Sequence, residues 1–168
     1  MALPKTLKNF VPYVDGVGQL RKCDELELPK LTNKTEELRA GGMDAPVEID
    51  QGMEALTATS TYNEYDPSIL KHFGQAERAG LPVVFRGAAE DGSGTVQSII
   101  VTTRGGVKEQ DLGSWRSGEK AQLKLMHSFT YYKLEIDGQT IHEIDVENMV
   151  RIINGVDQLA GQRAALGL

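Results

Sequence analysis

The segment EKAQLKLMHSFTYYKLEIDGQTIHEID, residues 119–145, constrains the fold of this chain more than any other. Asp137-Gly138 at its centre is typical of a two-residue β-hairpin turn. Apolar residues flank this turn, with Leu134 and Ile136 before it and Ile141 and Ile144 after it. We therefore expect two antiparallel strands joined at Asp137-Gly138.

The apolar pattern of the first strand changes phase along its length. Leu123 and Leu125 share one parity, whereas Leu134 and Ile136 have the other. A strand keeps both sets on one face only when an extra residue is inserted between them, so we expect a bulge or sharp bend within residues 127–132. Long, bent strands of this kind are typical of barrels and strongly curled sheets.

Three further segments read as strands. ALTATSTY, residues 55–62, alternates small or apolar residues with threonines. LPVVFRGAA, residues 81–89, has a β-rich composition with proline near its start. TVQSIIVTTRGG, residues 95–106, is expected to end at a Gly105-Gly106 turn, and the glycines of RAGG, residues 39–42, are also interpreted as turn residues.

Two short helices are expected among the strands. In EYDPSILKHFG, residues 64–74, Asp66 is placed to cap a helix that starts at Pro67 and stops at Gly74. The C-terminal arm has a plausible cap and helical spacing in four residues: Asp157, Leu159, Arg163 and Leu166. The prediction is a mainly β fold, a β-barrel or curled sandwich with a short flanking helix and a C-terminal helix or arm. We expect the whole chain, residues 1–168, to form a single domain.

The formal charge of −6 argues against a protein that grips nucleic-acid phosphates, because that binding needs a basic face. Residues 24–54 contain nine acidic and three basic side chains, so this stretch holds the entire imbalance. A solvated face is the simplest interpretation of such a run. The chain has no apolar run long enough for a membrane span and no secretory signal pattern, so we expect a cytosolic protein without a membrane anchor.

Catalytic chemistry is poorly supported by the sequence. His72, His127 and His142 do not have the spacing of metal ligands with Cys or carboxylate residues. The lone Cys23 has no nearby histidine and is interpreted as an inert, buried or half-buried side chain. DGSG, residues 91–94, is interpreted as a turn rather than a calcium loop. We expect no enzyme activity, no cofactor and no metal.

Several long segments resemble one family, in order along nearly the whole chain: LPKLTNKT, TEELRAGGMDAPVEIDQGMEAL, FRGAA, YYKLEIDG and INGVDQLAGQRAALGL. The sequence is similar to the major tail tube proteins of contractile-tailed bacteriophages, a family that includes the tubes of R-type pyocins. The resemblance implies a structural protein of the virion, assembled in the host cytoplasm into hexameric rings that stack as a hollow tube. It also implies four kinds of partner: other copies of the chain, the tail sheath protein, the baseplate tube initiator and the tape measure protein.

The resemblance also implies roles for particular residues. It places an extended loop between two lumen-wall strands, reaching toward a neighbouring subunit or ring: Arg39, Ala40, Gly41, Gly42, Met43, Asp44, Ala45 and Pro46. Candidates for the face that lines the lumen are acidic or polar: Glu25, Glu27, Glu36, Glu54, Thr57, Thr59 and Thr61. A negative lumen would repel DNA phosphates, so DNA would pass through without specific binding.

Two other interpretations stay open at this stage. A monomeric β-barrel that binds a small ligand would need strands that alternate toward an apolar pocket, and the chain is only 6% aromatic. A carboxylate-based hydrolase would need convergent acid, base or nucleophile residues, which the sequence does not indicate. Oligomeric size distinguishes the tube protein from both.

Overall fold

The computed structural model describes residues 3–74 and 80–168, and the fold in these ranges is mainly β as predicted. The elements in chain order are β1 (Thr6–Val14), β2 (Val17–Gly18), β3 (Cys23–Glu27), β4 (Asn33–Leu38), β5 (Val47–Met53), β6 (Leu56–Tyr62), α1 (Pro67–Leu70), β7 (Leu81–Glu90), β8 (Val96–Asp111), β9 (Leu123–Ile136), β10 (Gln139–Asp145), β11 (Val150–Ile153), β12 (Val156–Asp157) and α2 (Ala160–Leu166). No helix in the described ranges is long and apolar enough to cross a membrane.

Strand β9 organises the sheet because it has three partner strands. Along one edge it pairs with β8. Along the other edge, its first half pairs with β6 and its second half with β10. The β8 register skips Thr130 between these halves, and the Thr130 carbonyl instead accepts a hydrogen bond from the Val146 N–H at 2.9 Å. The predicted bulge is therefore confirmed, and it lies where the partner of β9 changes.

The sheet curls so that its two halves pack against each other. The strand order is β12-β11-β10-β9-β8-β7-β1-β2, and β6 branches from β9 and carries β3 on its other side. Phe85 on β7 and Phe129 on β9 come from strands that do not pair with each other. Their rings nevertheless meet edge to face, with centroids 6.3 Å apart. Both rings are part of one buried apolar cluster that fills the space between the layers. The predicted curled sandwich is confirmed.

Local signals placed the hairpin and the start of the first helix correctly, but α1 ends at Leu70 and does not reach the expected stop at Gly74. Asp137 and Gly138 both have positive φ, at 50° and 80°, as a two-residue turn between twisted strands requires. The Asp66 side chain accepts a hydrogen bond from the Ser68 N–H at 2.8 Å, and Pro67 starts α1. The Lys22 ammonium lies 2.6 Å from Asp66 and holds the pKa of that carboxyl at about 2. Asp66 therefore caps α1 and ties it to the segment before β3.

The expected turn at Gly105-Gly106 is wrong, because β8 continues through both glycines to Asp111. Gly105 lies where the backbones of β8 and β9 come closest. A Cβ added to Gly105 would lie 2.0 Å from the carbonyl oxygen of Ser128. Glycine is needed here to admit a neighbouring backbone, which is a different requirement from the positive φ of a turn.

We predict that Gly105→Ala lowers the free energy of unfolding by about 3 kcal/mol or more, because the methyl group forces β8 away from β9. Chemical denaturation of the unassembled subunit measures the change. Gly161→Ala is the matched control, since the Gly161 position in α2 has nothing within 4 Å of an added Cβ. Equal stability of both variants would contradict the close approach.

His127 is a fully buried histidine of the core. Its side chain is fully buried, its Nε2 lies 3.0 Å from the Ser60 hydroxyl, and its ring stacks on Phe129 with centroids 5.7 Å apart. Burial lowers the pKa of His127 to about 4, so the imidazole is neutral at pH 7.

This pKa predicts a specific loss of stability in acid. The unfolded chain binds a proton at His127 below pH 6.5, whereas the folded chain does so only below about pH 4. Stability should therefore fall as the pH drops from 6.5 to 4, by about 3 kcal/mol in total. His127→Gln keeps a partner for Ser60 and should flatten this dependence in urea denaturation. An unchanged slope in the variant would show that another group causes it.

Candidate assembly surfaces

One face of the region built from β3, β6, β9 and β8 is polar and lies opposite the core. Its members follow from the strand registers, and we call this set the polar face: Glu25, Glu27, Thr57, Thr59, Thr61, Glu109, Asp111, Lys124, Met126 and Ser128. The alternating residues of β6, from Leu56 to Tyr62, are buried on the other side. The two-residue period of β6 was therefore predicted correctly.

Five of the seven candidate lumen residues lie on this polar face. Glu27 pairs with Thr59 across β3 and β6, and Glu25 pairs with Thr61. Thr57 and Thr59 are half-buried, but Thr61 is only 3% exposed. Thr61 lies between two longer side chains on the neighbouring strands. These neighbours cover Thr61 in the single subunit, so its role in the lumen stays a prediction.

Glu109 and Asp111 are members of the polar face that the sequence analysis missed. They pair with Met126 and Lys124 across β8 and β9 and are exposed. β8 was expected to end at Gly106, and alternation from the buried Val107 would have put both carboxylates on the core side. A register shift between Val107 and Glu109 moves them to the polar face. With these two residues the polar face has four carboxylates and, in Lys124, one ammonium group.

The segment around the predicted loop forms a separate two-stranded sheet, β4 paired with β5. We call β4, β5 and the connecting residues 39–46 the hairpin. Almost every residue of the hairpin is exposed. In the loop, Gly42 has a φ of 88°, and the Met43 N–H donates to the Ala40 carbonyl at 3.2 Å. The connection between the two strands therefore contains a tight turn at residues 40–43.

The hairpin has one apolar and one acidic face. The register pairs Leu38 with Val47 and Glu36 with Ile49, and we call these four residues the apolar hairpin face. The opposite face is acidic and holds four residues: Thr35, Glu37, Glu48 and Asp50. Among the candidate lumen residues, Glu36 therefore lies on the apolar hairpin face. Glu54 lies in the connection to β6, where its N–H donates to the Thr32 carbonyl at 2.9 Å.

The base of the hairpin is linked to the body through an ion pair. Arg151 on β11 lies 3.3 Å from the Asp50 carboxylate, and the Arg151 side chain is only 15% exposed. Next to this pair is a cavity of about 560 Å³ between β5, the β10–β11 turn and the start of α2. The hairpin, β11 and the C-terminal segment therefore meet at one place.

The sequence analysis expected Asp157 to cap the C-terminal helix, and this prediction is wrong. Asp157 ends β12, and Leu159 takes the N-cap position without a side-chain hydrogen bond. Asp157 accepts from the Leu159 N–H at 3.0 Å and pairs with the Arg163 guanidinium, which holds the pKa of Asp157 below its ordinary value. Arg163 also donates to the Met149 carbonyl at 2.7 Å, and Leu166 is exposed. Asp157 thus anchors α2 from outside it.

Cys23 and the possible metal ligands are candidates for reactive groups in the part of the chain that the structure describes. Burial raises the pKa of the Cys23 thiol to about 11, which leaves it protonated and half-buried as predicted. Among residues 3–74 and 80–168, no group of three His, Cys, Asp or Glu side chains is placed to hold a metal ion. The surfaces can offer strand edges, apolar patches and carboxylates to partners.

We predict that Asp157→Ala loosens α2 while leaving the core intact. Loss of the carboxylate removes both the Arg163 ion pair and the Leu159 hydrogen bond. Hydrogen exchange of amides 159–168 should accelerate at least about tenfold, whereas amides of β9 should be unchanged. Glu147→Ala, an exposed carboxylate on the preceding turn, is the control. Equal amide exchange rates in both variants would contradict the role of Asp157 as the anchor of α2.

Comparison with known proteins places the chain in a family. Residues 4–167 match the family described as phage tail tube protein FII. The tail tube protein of Escherichia phage P2 is 32% identical over 172 aligned positions, covering 100% of both chains. The major tail tube protein of Serratia phage KSP20 is 35% identical over 154 positions, covering 89% of this chain and 88% of its own.

Solved structures share the fold at low identity. A sheath/tube terminator of an extracellular contractile injection system has a TM-score of 0.59 and 10% identity, covering 79% of this chain and 97% of its own. A chain of the sheath–tube complex of such a system has a TM-score of 0.58 and 10% identity, with coverage of 79% and 91%. The chain belongs to the phage tail tube protein FII family, a family of structural tail proteins and not of enzymes.

Proposed function

We propose that six copies of this chain close into a ring and that rings stack to form the inner tube of a contractile tail. The observation that carries the proposal is the polar face, which extends over four strands on the side of the sheet opposite the core. A sheet with one packed side and one wet side suits the wall of a water-filled channel. In the ring, the polar face lines the lumen.

The charge of the polar face suits passage of DNA. Its four carboxylates and one ammonium group leave each subunit with a net negative contribution. Repetition around the ring makes the lumen acidic, which repels phosphates and lets DNA slide without specific binding. The same channel would serve genome ejection in a phage or membrane penetration in a pyocin.

Open strand edges support self-assembly. Strand β3 pairs with β6 on one side, and residues 6–11 of β1 pair with β7 on one side. Within the described part of the chain, the other edges of these segments carry no ladder. Unpaired edges are a liability in a single subunit, but they join sheets when identical subunits close into a ring.

We assign the remaining surfaces of the subunit to other contacts in the tail. The loop of residues 39–46 contacts a neighbouring subunit or ring. The C-terminal arm, including Leu159 and Leu166, supplies a second contact. The sheath protein binds the outside of the tube, and the baseplate initiator and tape measure protein act in tube formation. The assembled protein belongs to the virion and forms in the host cytoplasm.

The small-ligand barrel has less support, because the space between the sheet layers is filled. Tyr62, Phe85 and Phe129 are each less than 5% exposed and belong to the same buried cluster. A ligand would have to displace these aromatic side chains.

Purified protein, concentrated and observed by negative-stain electron microscopy with light scattering, tests the assembly. We expect hollow tubes or six-membered rings, either directly or after addition of preformed baseplates. A protein that stays monomeric in the presence of baseplates would contradict the proposed function.

Charge reversal tests the lumen assignment. Glu25→Lys with Glu27→Lys should leave tubes intact but slow DNA ejection about tenfold or more, and added salt should restore the rate by screening. The control is Glu119→Lys with Glu147→Lys, which changes the charge equally at exposed positions outside the polar face. An unchanged ejection rate in the first variant would contradict the assignment of the polar face to the lumen.

A further inference from the structure

The hairpin and the C-terminal helix α2 converge on one residue, Arg151 of β11. We propose that Arg151 couples these two segments, so that movement of the hairpin changes how firmly α2 is held, and movement of α2 changes how firmly the hairpin is held. The inference rests on the proposed function, which assigns both segments to contacts with other copies. It adds a regulation of those contacts that neither segment has by itself.

Asp50 uses its two carboxylate oxygens for two different contacts at the base of the hairpin. Its Oδ2 atom lies 3.3 Å from the Arg151 guanidinium, and its Oδ1 atom accepts a hydrogen bond from the Gly52 N–H at 2.7 Å. Gly52 has a φ of 100°, and the β4–β5 register shifts beside it, between Asn33 and Thr35. The hairpin therefore leaves the body at a bulge whose geometry and charge partner depend on the same carboxylate.

The backbone of Arg151 connects the same residue to the C-terminal segment. Its N–H donates to the Asp157 carboxylate at 3.4 Å, and its carbonyl accepts from the Gln158 N–H at 2.8 Å. Asp157 also pairs with the Arg163 guanidinium of α2, which donates to the Met149 carbonyl at 2.7 Å on the turn before β11. A continuous chain of polar contacts therefore runs from β5 through Arg151 to α2.

The Arg151 side chain cannot lose Asp50 without a response from its surroundings. It is only 15% exposed. Within residues 3–74 and 80–168, Asp50 is its only ion-pair partner, and its buried Nε atom has no hydrogen-bond acceptor. A mostly buried cation is costly when its counter-ion leaves. Displacement of the hairpin therefore drives the guanidinium toward water, and β11 transmits the shift to Asp157 and Gln158 through its backbone hydrogen bonds.

The cavity beside the ion pair permits a second arrangement of these side chains. Its volume is about 560 Å³, and its lining includes Met53 from the hairpin and Leu159 and Gln162 from the C-terminal segment. A close-packed junction would resist rearrangement, whereas a cavity bordered by a flexible methionine does not. Loosening of α2 opens this cavity to water, which weakens the attraction between Asp50 and Arg151. The coupling therefore acts in both directions, as linkage requires.

The coupling makes the two proposed assembly contacts depend on each other. A neighbouring copy that holds the hairpin in place fixes Asp50, keeps Arg151 paired and thereby tightens α2. A copy that has made one contact therefore makes the other more readily, because part of the ordering has already occurred. Arg151 acts as a positioning residue for both segments.

Hydrogen exchange in the unassembled, full-length subunit tests the coupling without any tube. Asp50→Asn keeps an oxygen for the Gly52 N–H but removes the charge that pairs with Arg151. We expect amides 160–168 to exchange about fivefold faster. No hydrogen bond or ion pair in the described part of the chain joins Asp50 directly to α2. Glu48→Gln, the same charge change at an exposed position of β5, is the matched control and should leave these amides unchanged.

Two further measurements separate the coupling from a local effect of the substitution. Asp157→Ala should accelerate exchange of amides 47–53 in the hairpin about fivefold, because the coupling is reciprocal. In an Arg151→Gln background, Asp50→Asn should have no further effect on amides 160–168, because the link between the two segments is already broken.

Three results would overturn the coupling. They are an unchanged exchange rate of amides 160–168 in Asp50→Asn, an equal effect of Glu48→Gln, and an effect of Asp50→Asn that persists in the Arg151→Gln background. Failure of the unaltered chain to form tubes would instead contradict the proposed function. The two failures are distinguishable, because the exchange rates are measured in the free subunit.

Discussion

The extra residue in β9 at Thr130 is the feature on which the rest of the structure depends. A strand with a constant register would keep one partner on each edge and one side in the core. The bulge lets the first half of β9 pair with β6 and the second half with β10, while β8 follows both halves. Gly105 on β8 supports this bend by admitting the backbone at Ser128. The sheet therefore folds back on itself.

The curl determines which side chains meet water. Packing of Phe85 against Phe129 closes the apolar side of the sheet, and burial of the aromatic and aliphatic cluster is the main favourable term for the subunit. The opposite side of β3, β6, β9 and β8 then has no layer of its own. It carries threonines and carboxylates, which are compatible with a wet wall and would be costly in a dry interface.

The hairpin is the part of the subunit that the core does not stabilise. Its aliphatic residues are exposed on one face, and its carboxylates are crowded on the other. A segment built in this way is poorly explained by the needs of a monomer.

Sequence reasoning succeeded where the signal is local. The period of β6, the Asp137-Gly138 turn, the Asp66 cap and the phase change in β9 each depend on residues close in the chain. It failed where the reason lies in a distant segment. The glycine at position 105 is required by β9, and Asp157 is bound by a side chain of the helix that it was expected to cap.

The positions of the acidic residues on the fold also depend on distant segments, so the sequence did not predict them. The net charge of residues 24–54 identified an acidic segment, but the segment divides between the polar face and the hairpin. Glu36 and Glu37 are neighbours in sequence and lie on opposite faces of β4. Glu109 and Asp111 reach the polar face because β8 continues past its glycines and its register shifts between Val107 and Glu109. The pairing registers determine which face each carboxylate occupies, and composition alone does not predict the registers.

We propose above all that the polar face lines the channel of a tube. A cryo-electron microscopy reconstruction of assembled particles measures this directly, because it shows which side of β6 points toward the tube axis. The account predicts six subunits in each ring with Thr57 and Thr59 facing the lumen. A tube in which these threonines face the outside or lie in a subunit interface would contradict the account.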